Sequence, residues 1–360
     1  MSPLGRLLGP ALAAALFATT AAADSFVYVH DYAKANQVYG FSLGRQGLEP
    51  LPGSPFQSPD GGASVVDQCN GYCQTMTWLS EAKLLLTAGP GGVTPWRIDV
   101  DGVLTPVAGA PFGAGPGLYF GVAAAARGRD RFAWVADFGA SHILGYRVGD
   151  DGSLAPLGDG YPVATGEGPL GLQSRRGVLT ALASLDNAVA SWAIEGDGTL
   201  TPAPATPLSF PANEAFTLDF DGSGRNVYVG DRSAGNAFFF KVLNRHGELE
   251  AREVNPVSMA LPNVGLGFAL TKGRFVYALS TTGDAQAFRR RRGDLHPLGD
   301  PVPLGMVALA HALTPDHRAF AAASNDELRL FRVGATGNLE DAASAPLGAS
   351  NVNAVVFVRR

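Results

Sequence analysis

One short motif recurs seven times along the chain at nearly regular intervals. In each copy a glycine is followed one or two residues later by a leucine, and the seven leucines are Leu48, Leu104, Leu154, Leu200, Leu249, Leu295 and Leu339. Successive leucines lie 56, 50, 46, 49, 46 and 44 residues apart, and a proline follows each of them after seven or eight residues. Repeats of this length with strand-like composition are typical of propeller blades. The sequence therefore predicts an all-β chain built from seven similar units.

Each unit contains four segments with the composition of β-strands. In the fifth copy, residues 214–224 (EAFTLDFDGSG) predict an inner strand that ends in a hairpin turn. The second and third strands are predicted at 225–231 and 236–247, and the fourth begins at the motif glycine. Segments similar to the second strand occur in other copies, for example at 26–31 and 132–137. No helical periodicity of useful length follows residue 23, so we expect strands throughout.

The two ends of the chain predict how the ring of blades closes. The first strand, at 26–30, has the character of a second strand, and no inner strand precedes it. The C-terminus provides a spare inner strand at 352–358. Pairing of these two segments would complete the first blade and remove open sheet edges. We therefore predict a single seven-bladed β-propeller over residues 24–360, closed by its C-terminal strand.

The first 23 residues have the organisation of a secretory signal peptide. Arg6 precedes an apolar run over residues 7–18, and the small residues Ala21 and Ala23 follow it. The run is shorter than the about 20 residues that a membrane-spanning helix needs. We expect cleavage after Ala23, a periplasmic or secreted location, no membrane span and a monomer. With 27 Lys and Arg against 32 Asp and Glu, the net charge of −5 argues against nucleic-acid binding.

Both cysteines of the chain lie in one short segment. Cys69 and Cys73 flank the turn signal Asn70-Gly71, and in an oxidising compartment a local disulfide is the expected state. A metal site needs about four ligands, and no histidine lies nearby in sequence. A redox pair normally has the CxxC spacing, which differs from the spacing here. We therefore predict a Cys69–Cys73 disulfide.

Two segments carry a resemblance to a known family. They are VYVHDYAKANQVYGFSL at 27–43 and VYVGDRSAGNAFFFKV at 227–242. Together with the glycine–leucine hairpin and its prolines, they resemble the lactonase-type seven-bladed propellers, the family of propeller 6-phosphogluconolactonases, over the whole chain after residue 23. The resemblance implies a lactone hydrolase. Similar propellers also include a muconate-lactonising cyclase and repeat proteins with no assigned reaction.

The chain departs from the motif that members of this family typically carry, which is Gly-Pro-Arg-His at the start of an inner strand. The corresponding residues are Gly115-Pro116-Gly117-Leu118 and Gly168-Pro169-Leu170-Gly171. The segment that leads into the second blade, residues 67–73, also contains no histidine. The arginine for a phosphate and the histidine for a base are both missing there. Two hypotheses therefore remain. The first is an exported propeller that binds a small molecule or a protein partner, and the alternative is a periplasmic lactone hydrolase.

Either activity is expected at the end of the channel where inter-blade loops meet the loops between second and third strands. The candidate catalytic residues are Glu214, Asp231 and Arg232. Glu214 is the candidate general base, and Arg232 is the candidate partner for an anionic group. The candidate ligand-binding residues are Tyr119, Asn213, His142 and Asp137. No cofactor is expected.

Several of these polar residues also have a structural interpretation. Asp31, Asp137 and Asp231 occupy one repeat position, which Ser184, Ser280 and Ser324 fill in other copies, so a role in capping a turn is the alternative. His311 lies in an inner strand, and we expect it to pack between blades rather than to face the channel. The six histidines of the chain show no metal-ligand spacing, so no metal site is expected.

Overall fold

The protein is described by a computed structural model. It describes residues 25–32, 36–44, 47–61, 73–113, 115, 117–158, 161–203, 208–210, 212, 215–221, 223–231, 236–251, 257–258, 267–270, 275–280, 282–291, 294–314 and 318–359. In this part of the chain all regular structure is β-strand, arranged in seven antiparallel sheets. Each sheet is one blade of a seven-bladed β-propeller, as the repeat predicts.

The first four blades take up residues 25–209. Blade one contains β1 (Ser25–Asp31), β2 (Gln37–Gly44), β3 (Gly47–Pro50) and β4 (Phe56–Gln57). Blade two contains β5 (Met76–Leu79), β6 (Leu84–Gly89), β7 (Gly92–Ile98) and β8 (Leu104–Pro106). Blade three contains β9 (Tyr119–Arg127), β10 (Asp130–Asp137), β11 (His142–Val148), β12 (Leu154–Pro156) and β13 (Val163–Ala164). Blade four contains β14 (Pro169–Arg175), β15 (Val178–Ala183), β16 (Ala188–Ile194), β17 (Leu200–Pro202) and β18 (Leu208–Ser209).

Three further blades and the closing strand follow. Blade five contains β19 (Ala215–Phe220), β20 (Asn226–Asp231), β21 (Asn236–Val242), β22 (Leu249–Ala251) and β23 (Val257–Ser258). Blade six contains β24 (Gly267–Leu270), β25 (Phe275–Leu279), β26 (Asp284–Arg291), β27 (Asp294–Pro297) and β28 (Val302–Pro303). Blade seven contains β29 (Ala310–Leu313), β30 (Ala319–Ala323), β31 (Glu327–Val333) and β32 (Leu339–Pro346), and β33 (Val352–Arg359) returns to blade one.

The ring is closed by β33, as the sequence predicts. β33 pairs with β1 in an antiparallel register that runs from Ser25 opposite Arg359 to Asp31 opposite Val352. Blade one therefore has the order β3-β2-β1-β33, with its inner strand supplied by the C-terminus. The seven inner strands, β33, β5, β9, β14, β19, β24 and β29, each contact the inner strands of both neighbouring blades. This closed ring of inner strands surrounds the central channel.

The repeated glycine of the sequence motif joins one blade to the next. Gly102 has a φ of +84°, which strongly favours glycine, and its carbonyl oxygen accepts a hydrogen bond of 2.7 Å from the Tyr28 hydroxyl of blade one. A Cβ atom on Gly102 would lie 2.6 Å from the ring of Phe26, so the blades could not approach as closely. The same arrangement recurs at Gly198, whose added Cβ would lie 2.4 Å from the ring of Phe132. At both positions, close packing between neighbouring blades therefore requires the glycine of the motif.

The strand order gives the channel two chemically different ends. Tight hairpins between first and second strands, and between third and fourth strands, lie at one end, which we call the hairpin end. Inter-blade connections and the loops between second and third strands lie at the opposite end, which we call the loop end. Loops on a rigid scaffold are where binding groups usually lie. The loop end is therefore where a functional site is expected.

Candidate functional site at the loop end

A cluster of apolar side chains fills the loop end of the channel. Its buried members are Tyr32, Cys73, Phe120 and Leu170, with Leu118, Phe138 and Phe216 packed against them. We call this set the mouth cluster. Because its members come from blades one to five, they can meet only around the channel axis. The ring centroids of Tyr32 and Phe120 are 5.5 Å apart, and those of Phe120 and Phe138 are 5.3 Å apart.

Irregularities near the start of three inner strands position this cluster. The pairing of β14 with β15 skips Leu170, and the pairing of β19 with β20 skips Phe216. The pairing of β9 with β10 is irregular at the equivalent place, next to Phe120. A β-bulge redirects a side chain away from the regular alternation. The bulges therefore bring these three apolar side chains together at the mouth.

The mouth cluster also contains the positions at which the chain departs from the Gly-Pro-Arg-His motif. Leu170 and Leu118, which follow the two Gly-Pro pairs, both belong to it. Leu170 is 2% exposed and therefore lies inside the cluster. A guanidinium could not replace this side chain without being buried among aromatic rings. The loop end is thus apolar where related sequences typically place a phosphate-binding arginine.

The predicted Cys69–Cys73 disulfide involves the same cluster. Cys73 is completely buried there, between blades one, three and four. Cys69 lies outside the described residues, so the disulfide stays a prediction.

Three of the predicted ligand-binding residues lie side by side in blade three. Tyr119 pairs with Asp137, and Asp137 pairs with His142, so the three form one row across β9, β10 and β11. Asp137 Oδ2 lies 4.0 Å from His142 Nε2, and both side chains are partly exposed. Tyr119 is only 2% exposed, and its hydroxyl donates a hydrogen bond of 3.0 Å to the Gly115 carbonyl oxygen. The row provides one accessible carboxylate–imidazole pair.

The remaining predicted site residues lie in blade five. Asp231 ends β20 and is 1% exposed, so a ligand at the surface would not reach its carboxylate directly. Asn213, Glu214 and Arg232 lie outside the described residues. In sequence, Asn213 and Glu214 directly precede β19, and Arg232 directly follows β20.

The polar residue at the end of each second strand, such as Asp31, Asp137 or Ser324, does not have the same structural role in every blade. Asp137 accepts a hydrogen bond from the Ala140 amide at 3.1 Å, which caps the turn between β10 and β11. Ser324 Oγ accepts hydrogen bonds from the amides of Asp326 and Glu327, again within a turn. Asp31 differs, because its carboxylate accepts hydrogen bonds from the amides of Ser350 and Asn351 just before β33, each at 2.9 Å. Asp31 therefore helps to hold the closing strand in place.

A buried hydrogen-bond network joins blades one and two near the loop end. His30 is completely buried, with Nε2 2.8 Å from Asn36 Oδ1 and Nδ1 2.6 Å from Thr75 Oγ1. The amide of Asn36 then donates to Asp60 Oδ1 at 2.7 Å, and Asp60 Oδ2 accepts from the Gly91 amide at 3.2 Å. Since the Asn36 oxygen can only accept, His30 carries its proton on Nε2 and accepts from Thr75 at Nδ1. Burial lowers the pKa of His30 to about 4.

This network predicts a pH dependence of stability that can be assigned to one residue. The pKa of His30 is about 4 in the folded protein and 6.5 in an unfolded chain, so the unfolded chain binds the proton more strongly. The stabilisation of the folded protein that comes from keeping His30 neutral is complete above pH 6.5, and it is lost as the pH falls towards 4. We expect about 2 to 3 kcal/mol of the free energy of unfolding to be lost between pH 7 and pH 4.5 through His30.

Urea unfolding at the two pH values measures this loss, with His30→Gln as the comparison. The substitution removes the imidazole, so the difference between the pH dependences of the two proteins reports on His30. Equal pH dependence in the wild type and in His30→Gln would show that His30 is not held neutral by burial.

A second carboxylate–imidazole pair lies deeper in the channel. His311 Nε2 of blade seven is 3.9 Å from Asp219 Oδ2 of blade five. Asp219 Oδ1 accepts hydrogen bonds from the amides of Gln173, at 3.0 Å, and Gln74, at 3.3 Å. The expectation that His311 packs between blades is therefore wrong, because blades five and seven are not neighbours and can meet only across the channel. The Asp219 side chain of blade five thus contacts side chains from three other parts of the ring, namely Gln74 before β5, Gln173 of β14 and His311 of β29.

Among the described residues, no group of three or more His, Cys, Asp or Glu side chains is placed to hold a metal ion. No helix in that part of the chain is long and apolar enough to span a membrane.

The fold and the closed ring define a seven-bladed β-propeller with an apolar mouth and a carboxylate–imidazole pair at its loop end. The model of the lactonase family of seven-bladed β-propellers matches residues 123–310, more than half of the chain. The protein belongs to this family. The search of curated proteins gave no match.

Solved structures share the fold over almost their whole length. A candidate 6-phosphogluconolactonase from Bacteroides fragilis has a TM-score of 0.70 at 17% identity, over 94% of this chain and 99% of that one. The periplasmic gluconolactonase of Pseudomonas aeruginosa has a TM-score of 0.65 at 17% identity, over 93% of this chain and 99% of that one. A protein from Lactobacillus plantarum has a TM-score of 0.69 at 15% identity, with 93% and 100% covered. At such low identity these similarities show the fold alone.

Proposed function

We propose that this protein hydrolyses a lactone at the loop end of its channel. The observation that carries the proposal is the partly exposed Asp137–His142 pair, located at the loop end of a propeller that belongs to the lactonase family. Lactone hydrolysis needs a base that activates water and donors that stabilise the developing oxyanion. A propeller that only binds a ligand would need neither group, so the lactone hydrolase is the better-supported of the two hypotheses.

His142 is the proposed base, and Asp137 is its positioning residue. Asp137 Oδ2 lies nearest Nε2, which leaves Nδ1 to take a proton from water. The water oxygen then bonds to the carbonyl carbon of the lactone, and the ring C–O bond breaks. The proton returns from the imidazolium to the departing alkoxide oxygen, which gives a hydroxy acid. The carboxylate of Asp137 stabilises the imidazolium between these two steps.

Blade five supplies the proposed partners of this pair. Glu214 remains a candidate general base, and Arg232 and Asn213 would donate hydrogen bonds to the oxyanion. Asp231 and Tyr119 are proposed to position these groups rather than to touch the lactone, because both are buried.

A single incubation distinguishes a hydrolase from a binding protein. Purified residues 24–360 are mixed with excess δ-valerolactone at neutral pH, and acid release is followed by titration. We expect acid well in excess of the protein, at a rate proportional to the protein concentration. Acid release at the uncatalysed rate would contradict the proposal and favour a binding protein.

We also propose that residues 1–23 direct export and that Cys69 and Cys73 form a disulfide. The signal-like organisation of the N-terminus and the oxidising compartment that it implies support both. N-terminal sequencing of protein from its native compartment should begin at Asp24, and two free thiols in that material would exclude the disulfide.

A further inference from the structure

Three arginines lie together at the hairpin end, where the hairpins of blades four and five touch. Arg175 and Arg176 belong to the hairpin between β14 and β15, and Arg225 belongs to the hairpin between β19 and β20. Arg175 Cβ and Arg176 Cδ would each lie 3.1 Å from a Cβ atom added to Gly224, the residue directly before Arg225. All three arginines are exposed. We call them the arginine cluster.

A fourth arginine adjoins the cluster from blade three. The guanidinium of Arg127 lies against Gly177, where an added Cβ would be 2.5 Å from Nη1, and Gly177 directly follows Arg176. Arg127 Nε donates a hydrogen bond to the Ile194 carbonyl oxygen at 3.0 Å, which holds the guanidinium in place without neutralising its charge. Basic side chains of three successive blades are thus neighbours at this end of the channel.

The acidic side chains of the same hairpins are paired with other arginines. Asp130, where β10 begins, forms an ion pair with Arg147. Asp221 is 2% exposed and forms an ion pair with Arg290 of blade six. Within the described ranges, no salt bridge reaches the arginine cluster or Arg127. Like charges held side by side repel one another, and an anion bound among them removes this repulsion.

The backbone at Arg176 does not favour an arginine. Arg176 has a φ of +51° and Gly177 a φ of +80°. A two-residue hairpin with two positive φ values prefers Asn, Asp or Gly at the first position. An arginine in this conformation has a backbone cost, and such costs are concentrated at functional sites. The turn therefore indicates that the side chain of Arg176 has a use beyond the hairpin.

We propose that the arginine cluster binds a compact ligand that carries two or more phosphate groups. A guanidinium donates two parallel hydrogen bonds to phosphate oxygens, and it keeps its charge at every physiological pH. A ligand with several phosphates can bind guanidinium groups of both hairpins at once. This site lies at the end of the channel opposite to the lactone site, and the proposal does not rest on the proposed function.

The neighbouring hairpins limit the ligand to a compact one. The hairpins between third and fourth strands in blades three and four carry four exposed carboxylates at the same end, those of Asp150, Asp151, Glu195 and Asp197. An anionic membrane would meet these carboxylates together with the arginines and would be repelled by them. A compact phosphate compound contacts the arginines alone.

The test is calorimetric titration of purified residues 24–360 with tripolyphosphate and, separately, with orthophosphate at low salt. We expect saturable binding of tripolyphosphate with a Kd at or below about 0.1 mM, and a Kd for orthophosphate at least about 10-fold higher. We expect no cosedimentation with phosphatidylglycerol vesicles. Absence of saturable binding, equal affinity for the two phosphates, or cosedimentation with the vesicles would each overturn the proposal.

Three variants locate the site. Arg225→Gln and Arg176→Asn should each raise the Kd for tripolyphosphate at least about 5-fold. Since Asn suits the positive φ of residue 176, the melting temperature of Arg176→Asn should not fall, which separates binding from a structural role. Arg332→Gln is the control, because it removes the same charge from an exposed position at the hairpin end of blade seven and should leave the Kd unchanged. Equal Kd values for all three variants would overturn the assignment to the arginine cluster.

Discussion

Deletion of residues 351–360 is expected to prevent folding rather than to weaken the protein slightly. The deletion removes β33 and with it the apolar side chains of Val352, Val355, Phe357 and Val358, all at most 8% exposed. Burial of such side chains contributes about 1.5 to 3 kcal/mol each, and a whole domain is stable by only about 5 to 15 kcal/mol. The loss also exposes the unpaired edge of β1, which invites aggregation. We expect insoluble protein.

The register of β33 provides a rescue that separates closure from other effects of the deletion. Arg359 lies opposite Ser25, so residues 351–359 can be moved to the N-terminus and joined to residue 25 by a two-residue turn. We expect this permuted chain to be soluble and monomeric, with a melting temperature close to that of the intact protein. A deleted protein that stays monomeric with unchanged melting would contradict the role of β33.

His142→Gln and Glu214→Gln are expected to have the largest effects on activity. Each change keeps hydrogen bonding but removes the ability to take a proton, and a general base typically contributes about 10²- to 10⁴-fold to a rate. The variant of the true base should lose at least about 100-fold in kcat while its melting temperature changes little. A loss in His142→Gln alone identifies the imidazole as the base, and a loss in Glu214→Gln alone identifies the carboxylate. Full activity in both variants would exclude the loop-end assignment.

The blades and the closing strand were predictable from the sequence because the features that specify them are local. The glycine of each motif combines a tight turn with an interblade contact, as Gly102 and Gly198 illustrate, so the repeat can be read from spacing alone. The closing strand follows from counting, since blade one lacks an inner strand at the N-terminus and the C-terminus has one to spare.

The channel interior could not be predicted in the same way, because its contacts join residues far apart in sequence. Asp219 and His311 meet across the channel although 92 residues separate them (311 − 219). The strand pattern places His311 on an inner strand but does not say which way its side chain points. Asp31 shows the same limit, since its position predicts a turn cap and its carboxylate binds the amides before β33 instead.

The candidate site was predictable in part. Asp137 and His142 could be assigned to one loop from their positions, and the structure places them in a directly paired row. The mouth cluster was not predictable, because bulges in three inner strands bring Phe120, Leu170 and Phe216 together. The missing Gly-Pro-Arg-His motif was the only signal in the sequence that this region differs.

The most direct test of the central claim, that the loop end opens the lactone ring, is the ratio of kcat/KM between two histidine variants. His142→Gln changes the proposed base, and His246→Gln changes an exposed histidine in a turn at the hairpin end. With δ-valerolactone as substrate, we expect His246→Gln to match the wild type and His142→Gln to be at least about 100-fold slower. Equal values for the two variants, with Glu214→Gln also fully active, would contradict the claim.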